Sequence, residues 1–246
     1  MLESRLIIPR RAIALASAAV LLFSACRSNA AHRYKDDPQL SPLMNAARHD
    51  DLPRVRELLA HGADVKARTA QGATALYEAI ERPNPNADNL PIVDALLKAG
   101  ADPNEVEFST SNPLIVSLTR DYANPLVTLR LLEAGAHVPN ECPSHNSEDS
   151  LVSLATMDSS IDVIRELIAK GGPVNCLYRG ASALYWAAIN GQYDRVDLLL
   201  KSGAEPRQED LDATHYSGTD PRVQSNFAKT HDLLSKALES KEPKSR

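Results

Sequence analysis

The chain has 246 residues, 43% of them hydrophobic and 24% charged, which is enough apolar content to bury a sizeable core and excludes a wholly disordered protein. Aromatic residues make up only 4%, and alanine and leucine dominate, a composition that favours helices over sheets. A formal net charge of −5 carries no basic excess, so a nucleic-acid partner is not expected.

The first element is a leader. Arg5, Arg10 and Arg11 precede an apolar run from Ala12 to Phe23 that ends in Ser24-Ala25-Cys26. About a dozen apolar residues are too few to cross a bilayer as a helix, and the small residues at the end suit a peptidase cleft, so residues 1–25 are read as a signal peptide. Leu22-Phe23-Ser24-Ala25-Cys26 resembles the bacterial lipobox, with Phe23 where leucine is more usual. That resemblance implies cleavage before Cys26 and acylation of this cysteine, hence a lipid-anchored protein. Arg27, in place of aspartate after the cysteine, implies the periplasmic side of the outer membrane. The alternative, a plain secretory peptide with an incidental cysteine, also exports the chain. Loss of residues 1–25 removes three arginines and one glutamate, leaving 24 basic and 31 acidic residues, a net charge of −7. Such a body gains little from an anionic lipid surface, so the membrane is expected as a partner only through acyl chains at Cys26. Residues 26–39 then form the lipidated cysteine and a polar tether.

The elements that follow repeat. A leucine-rich helix ending recurs at Leu58-Leu59 with Gly62, Leu96-Leu97 with Gly100, Leu131-Leu132 with Gly135, Leu167-Ile168 with Gly171, and Leu199-Leu200 with Gly203, at glycine spacings of 38, 35, 36 and 32 residues. Seven residues before each glycine stand Val55, Val93, Thr128, Ile164 and Val196, on one helix face with the leucines. Each glycine suits a helix C-terminus that needs a left-handed residue. Upstream, Leu43, Leu76, Leu114, Leu151 and Leu184 announce a shorter helix, preceded by the N-cap residues Ser41, Thr74, Asn112, Asp149 and Ser182. Ala46-Ala47 and Ala187-Ala188 let helices approach closely.

These phrases, with Gly191, Gly62-Ala63-Asp64-Val65, Gly100-Ala101-Asp102-Pro103-Asn104 and Gly203-Ala204-Glu205-Pro206, resemble the ankyrin repeat over residues 40–208. The resemblance implies an all-α fold: a solenoid of about five helix-turn-helix repeats with short β-hairpin fingers, divided near 40–68, 69–104, 105–140, 141–176 and 177–208. The family's usual histidine is replaced by Met44, Tyr77, Ile115, Val152 and Tyr185, and repeat two carries an insertion from Pro83 to Asn89. Residues 209–227 show no clear period. Thr230 to Leu238 reads as a closing cap helix with Leu233, Leu234 and Leu238 on one face, followed by a polar tail to residue 246.

No nucleophile elbow, phosphate loop or zinc-protease motif is present, so neither catalysis nor a cofactor is expected. In an oxidising compartment Cys142 and Cys176, both shortly after a repeat-ending glycine, are expected to pair as a disulfide; two thiols facing different sides is the alternative. Cys142-Pro143-Ser144-His145 lacks the second ligand pair that a metal site needs.

The leucines are consumed by the stack, so recognition falls to finger tips and the open edge of the first helices. The family pattern places partner-binding positions at Arg48, His49, Gln71, Glu81, Arg82, Phe108, Ser109 and Arg120, then at His145, Asn146, Met157, Tyr178, Arg179 and Asn190. Thr119, Thr156 and Ile189 fall on the same edge. The alternative at any one of them is a solvated surface residue. Phe108, Tyr178 and Arg179 weigh most, as exposed aromatic and arginine anchors, whereas Trp186 sits at an inward position and reads as core. The resemblance implies that the partner is another protein and that the unbound chain is a monomer. With a lipid anchor and an acidic body, the chain also resembles the lipoprotein immunity factors that block toxins delivered between bacteria, including type VI phospholipase effectors. A basic toxin would be steered by the acidic charge. The alternative is a scaffold holding a resident envelope or stress-defence enzyme.

Overall fold

The computed structural model describes residues 36–81, 88–105, 112–119, 124–142, 150–215 and 220–240. Cys26, Arg82, Phe108, Ser109, Arg120, His145 and Asn146 lie outside the described residues, as do the expected leader and the last six residues. The chain divides into two units, Met1–Gln39 and Leu40–Arg246, and the second holds every helix among the described residues.

Those helices come in pairs: α1 (Pro42–Arg48) with α2 (Leu52–Ala60), α3 (Ala75–Ile80) with α4 (Leu90–Lys98), and α5 (Pro113–Leu118) with α6 (Pro125–Glu133). Next come α7 (Leu151–Asp158) with α8 (Ile161–Ala169), α9 (Ala183–Ile189) with α10 (Tyr193–Lys201), and α11 (Gln208–Asp212) with α12 (Pro221–Glu239). None of the first eleven exceeds nine residues, too short for a helix to persist alone in water, so each depends on its neighbours. The odd-numbered helices pack on one another in one row and the even-numbered helices in a second, with each pair bridging the rows.

The core lies between the rows. Leu43, Leu76, Leu114, Leu151 and Leu184 from the first row meet Val55, Val93, Ile164 and Val196 from the second, all buried. Thr128, which interrupts that aliphatic series, is equally buried because its hydroxyl has partners: Oγ1 lies 3.0 Å from Ser117 Oγ and 3.2 Å from the Asn124 carbonyl.

Local chemistry sets the helix ends. Hydroxyl or amide oxygens of Ser41, Thr74, Asn112 and Ser182 accept from the backbone N–H three residues on, at Met44, Tyr77, Ile115 and Tyr185. In the fourth repeat Ser150 is the N-cap residue, but it makes no such bond; its hydroxyl donates to the Cys176 carbonyl at 3.3 Å. The glycine after each even helix from α2 to α10 has φ between +81° and +96°, the left-handed residue that ends the helix.

The stretch expected to be aperiodic holds α11 and the start of α12, which begins at Pro221 and not near Thr230. Its signal is polar. Asp210, fully buried, accepts from Ser182 Oγ at 2.6 Å and from the Arg207 N–H at 2.8 Å, tying α11 to the N-terminus of α9. Asp220 caps α12, and Phe227, Thr230 and Leu234 are its buried residues. The β-hairpin character of the fingers is confined, among the described residues, to one bridge between Tyr178 and Ala181. No helix among the described residues is long and apolar enough to cross a membrane.

Candidate partner-binding surface

The fingers are held in register by side chains that reach across repeats. Asn104 Nδ2 donates to the Gly135 carbonyl at 3.1 Å while its Oδ1 accepts from the His137 N–H at 2.7 Å. Asn175 repeats the arrangement with the Gly203 carbonyl and the Glu205 N–H. Arg68 pairs with Glu105 of the next finger at 2.6 Å. Cys142 and Cys176 form a disulfide, S–S 2.02 Å, and the Cys176 carbonyl also accepts from Ser153 Oγ at 2.7 Å. A surface whose backbone is fixed in this way loses little conformational freedom on binding.

The sequence-derived positions fall into three groups. Gln71, Arg179 and Asn190 are exposed, as is Ile189 beside Asn190. Arg48, His49, Glu81 and Met157 are half-buried. Arg48 is engaged within the stack, its Nε donating at 2.6 Å to Oε2 of Glu78, a carboxylate only 3% exposed, and Met157 packs against the core. Tyr178 and Thr156 form the third group and require correction. Tyr178, expected as an exposed anchor, is buried beneath Arg179, whose guanidinium carbon sits 5.4 Å from the ring centroid. Thr156 is fully buried, its hydroxyl turned back to the Val152 carbonyl. Trp186, expected in the core, packs against it yet is only half-buried, with Tyr185 edge-on at 5.7 Å.

Repeat five therefore offers the best-defined candidate surface among the described residues, all of it exposed: Leu177 and Arg179 on the finger, Ile189 and Asn190 at the end of α9. Leu177, 45% exposed, was missed. The signal was available as an alternation, with Cys176 and Tyr178 inward and Leu177 and Arg179 outward, the period of an extended segment. These groups can recognise apolar and hydrogen-bonding features of a partner. Among the described residues no three histidine, cysteine or acidic side chains come together as a metal site.

Comparison with known proteins agrees with this architecture. The family described as ankyrin repeats, in three copies, matches residues 13–107 and 118–210. Mitochondrial disaggregase of Bos taurus is 31% identical over 179 residues, which cover 72% of this chain and 21% of that protein, so the chain spans about a fifth of its relative's length. An ankyrin repeat domain from Acinetobacter baumannii AYE is similar with a TM-score of 0.59 and 26% identity, covering 80% of this chain and 97% of that one. A chain from the structure of a predatory endopeptidase from Bdellovibrio bacteriovorus in complex with an immunity protein has a TM-score of 0.56 and 23% identity, covering 80% and 98%. This last likeness is one of fold.

Proposed function

Because the chain belongs to the ankyrin-repeat family, whose repeats bind other proteins, we propose that it is a non-enzymatic, lipid-anchored protein of the bacterial envelope that binds and neutralises a toxin acting in the periplasm, such as a type VI phospholipase effector. The observation that carries this reading is the disulfide between Cys142 and Cys176 within a protein-binding stack. Disulfides persist in exported compartments, and this one fits a chain that begins with a signal-peptide pattern ending at Cys26. The shared fold with a chain from the complex of an endopeptidase and an immunity protein supports a role in holding a hydrolase.

Neutralisation by such a protein is steric. A row of fingers and first-helix ends covers the hydrolase's active-site mouth and keeps lipid from entering, and Cys26 holds the inhibitor at the membrane where the toxin acts. Standard stable complexes bury about 800 Å² on each partner, an area that several adjacent repeats supply together.

The test is affinity capture with the full, detergent-solubilised chain, followed by activity assays on what is bound. A secreted hydrolase held one to one and inhibited establishes the reading. A resident periplasmic enzyme that stays active on the stack overturns it in favour of a scaffold.

A further inference from the structure

Tyr178, Arg179, Gly180 and Ala181 form the tightest finger among the described residues, with the Tyr178 N–H donating to the Ala181 carbonyl at 2.9 Å and the reverse bond at 3.1 Å. Both central residues have positive φ, +50° at Arg179 and +79° at Gly180, the combination of a type I′ two-residue turn. Glycine, asparagine or aspartate adopts the first of these positions at less cost than arginine, so folding alone does not account for the residue there.

What arginine adds is a poised charge. Its guanidinium lies over the ring of Tyr178, which is buried and therefore fixed, and the side chain is exposed. Among the described residues it has no carboxylate partner, in contrast to Arg68, the finger arginine that pairs with Glu105. Leu177, two residues earlier on the same finger, is exposed as well.

We infer that Arg179 and Leu177 are a docking point for a carboxylate-bearing segment of a partner protein, the carboxylate meeting the guanidinium and a neighbouring apolar side chain resting on Leu177. The inference rests on the protein-binding reading above and adds the chemistry of the contact. Charge complementarity selects the occupant: an arginine stacked on an aromatic ring, with no partner for its donors among the described residues, matches a planar carboxylate in two-pronged geometry. Such a contact is local and does not depend on the sign of the partner's net charge.

The experiment is selection of a displayed random-peptide library on the full chain, with counter-selection on Arg179→Gln. Peptides kept by the natural chain and lost on the variant should carry an aspartate, a glutamate or a free C-terminus, and should bind the variant about tenfold or more weakly. Arg179→Gly should lose the same peptides while its thermal midpoint stays level or rises, because glycine relieves the turn. An empty differential set, or one without carboxylates, overturns the inference. So does a fall in the midpoint of Arg179→Gly, which would make the arginine a clamp on Tyr178. No toxin enters this assay, so its failure is separate from failure of the immunity reading.

Discussion

Asp94 of α4 takes the Nε of Arg130 from the neighbouring α6, and this hydrogen bond, more than the charges alone, holds its carboxyl below the usual aspartate range. A carboxyl with a depressed folded value contributes stability that is present above its unfolded value and lost as pH falls through the folded one. The contribution of the pair is therefore expected to be constant at neutral pH and to fade below about pH 4. Both side chains are about one-third exposed, so solvent screens the pair and the effect is small. In urea melts between pH 6 and pH 3, Asp94→Asn should flatten the acid end of the profile; a parallel, uniformly lowered curve would show that the pair has no pH-linked role. At this scale the sequence was only partly legible. Arg130, Asp94 and Glu78 are charged residues at unremarkable helical positions, and their partners come from repeats 30 or more residues away. Tyr178 faces inward because exposure alternates along the finger from Cys176 to Arg179, a pattern that its aromatic character alone does not reveal.

At the scale of elements, short helices were readable where apolar side chains and caps mark them, and unreadable where polar contacts replace the period. The first helices and the glycines that end the second ones are both visible in the sequence. Helix α11 is fastened by the buried carboxylate of Asp210, and α12 begins at Pro221, twelve residues before its first leucine, Leu233. Gly191 connects these observations. It turns the chain from α9 into α10 with φ +60°, and a Cβ there would stand 2.7 Å from two ring carbons of Phe227, the buried residue of α12's first half. The left-handed conformation costs a residue with a Cβ about 1 kcal/mol, and overpacking against a fixed ring adds about 1–3 kcal/mol. Gly191→Ala is expected to lower stability by about 2–4 kcal/mol in chemical denaturation, and Gly203→Ala, where nothing lies within 4 Å of the added Cβ, by only the conformational part, about 1 kcal/mol. Equal losses at the two glycines would mean that α12 does not pack on Gly191 in solution.

For the molecule as a whole, a stack of two helix rows has contacts only between successive repeats, so its stability is a sum over units and interfaces and a defect stays close to where it is made. The disulfide is the exception to this locality, since Cys142 and Cys176 are 34 residues apart and enclose α7 and α8. Closing a loop of that length restricts the unfolded chain by about 4 kcal/mol in the chain-entropy account, with about 2–4 kcal/mol the usual measured gain. The contribution falls on a repeat with a weaker helix start: the N-cap hydroxyl of α7 is diverted to the Cys176 carbonyl, so this helix lacks the side-chain cap bond that α1, α3, α5 and α9 have. The double variant Cys142→Ser with Cys176→Ser leaves no reactive thiol at the site and should lose about 2–4 kcal/mol in urea unfolding. Amide exchange locates the loss. Protection should fall first across α7 and α8, then in α9 and α10 stacked on them, with α1 to α4 nearly unchanged. Uniform loss of protection from α1 to α12 would mean that the stack unfolds as one unit and that the bridge acts on the whole chain.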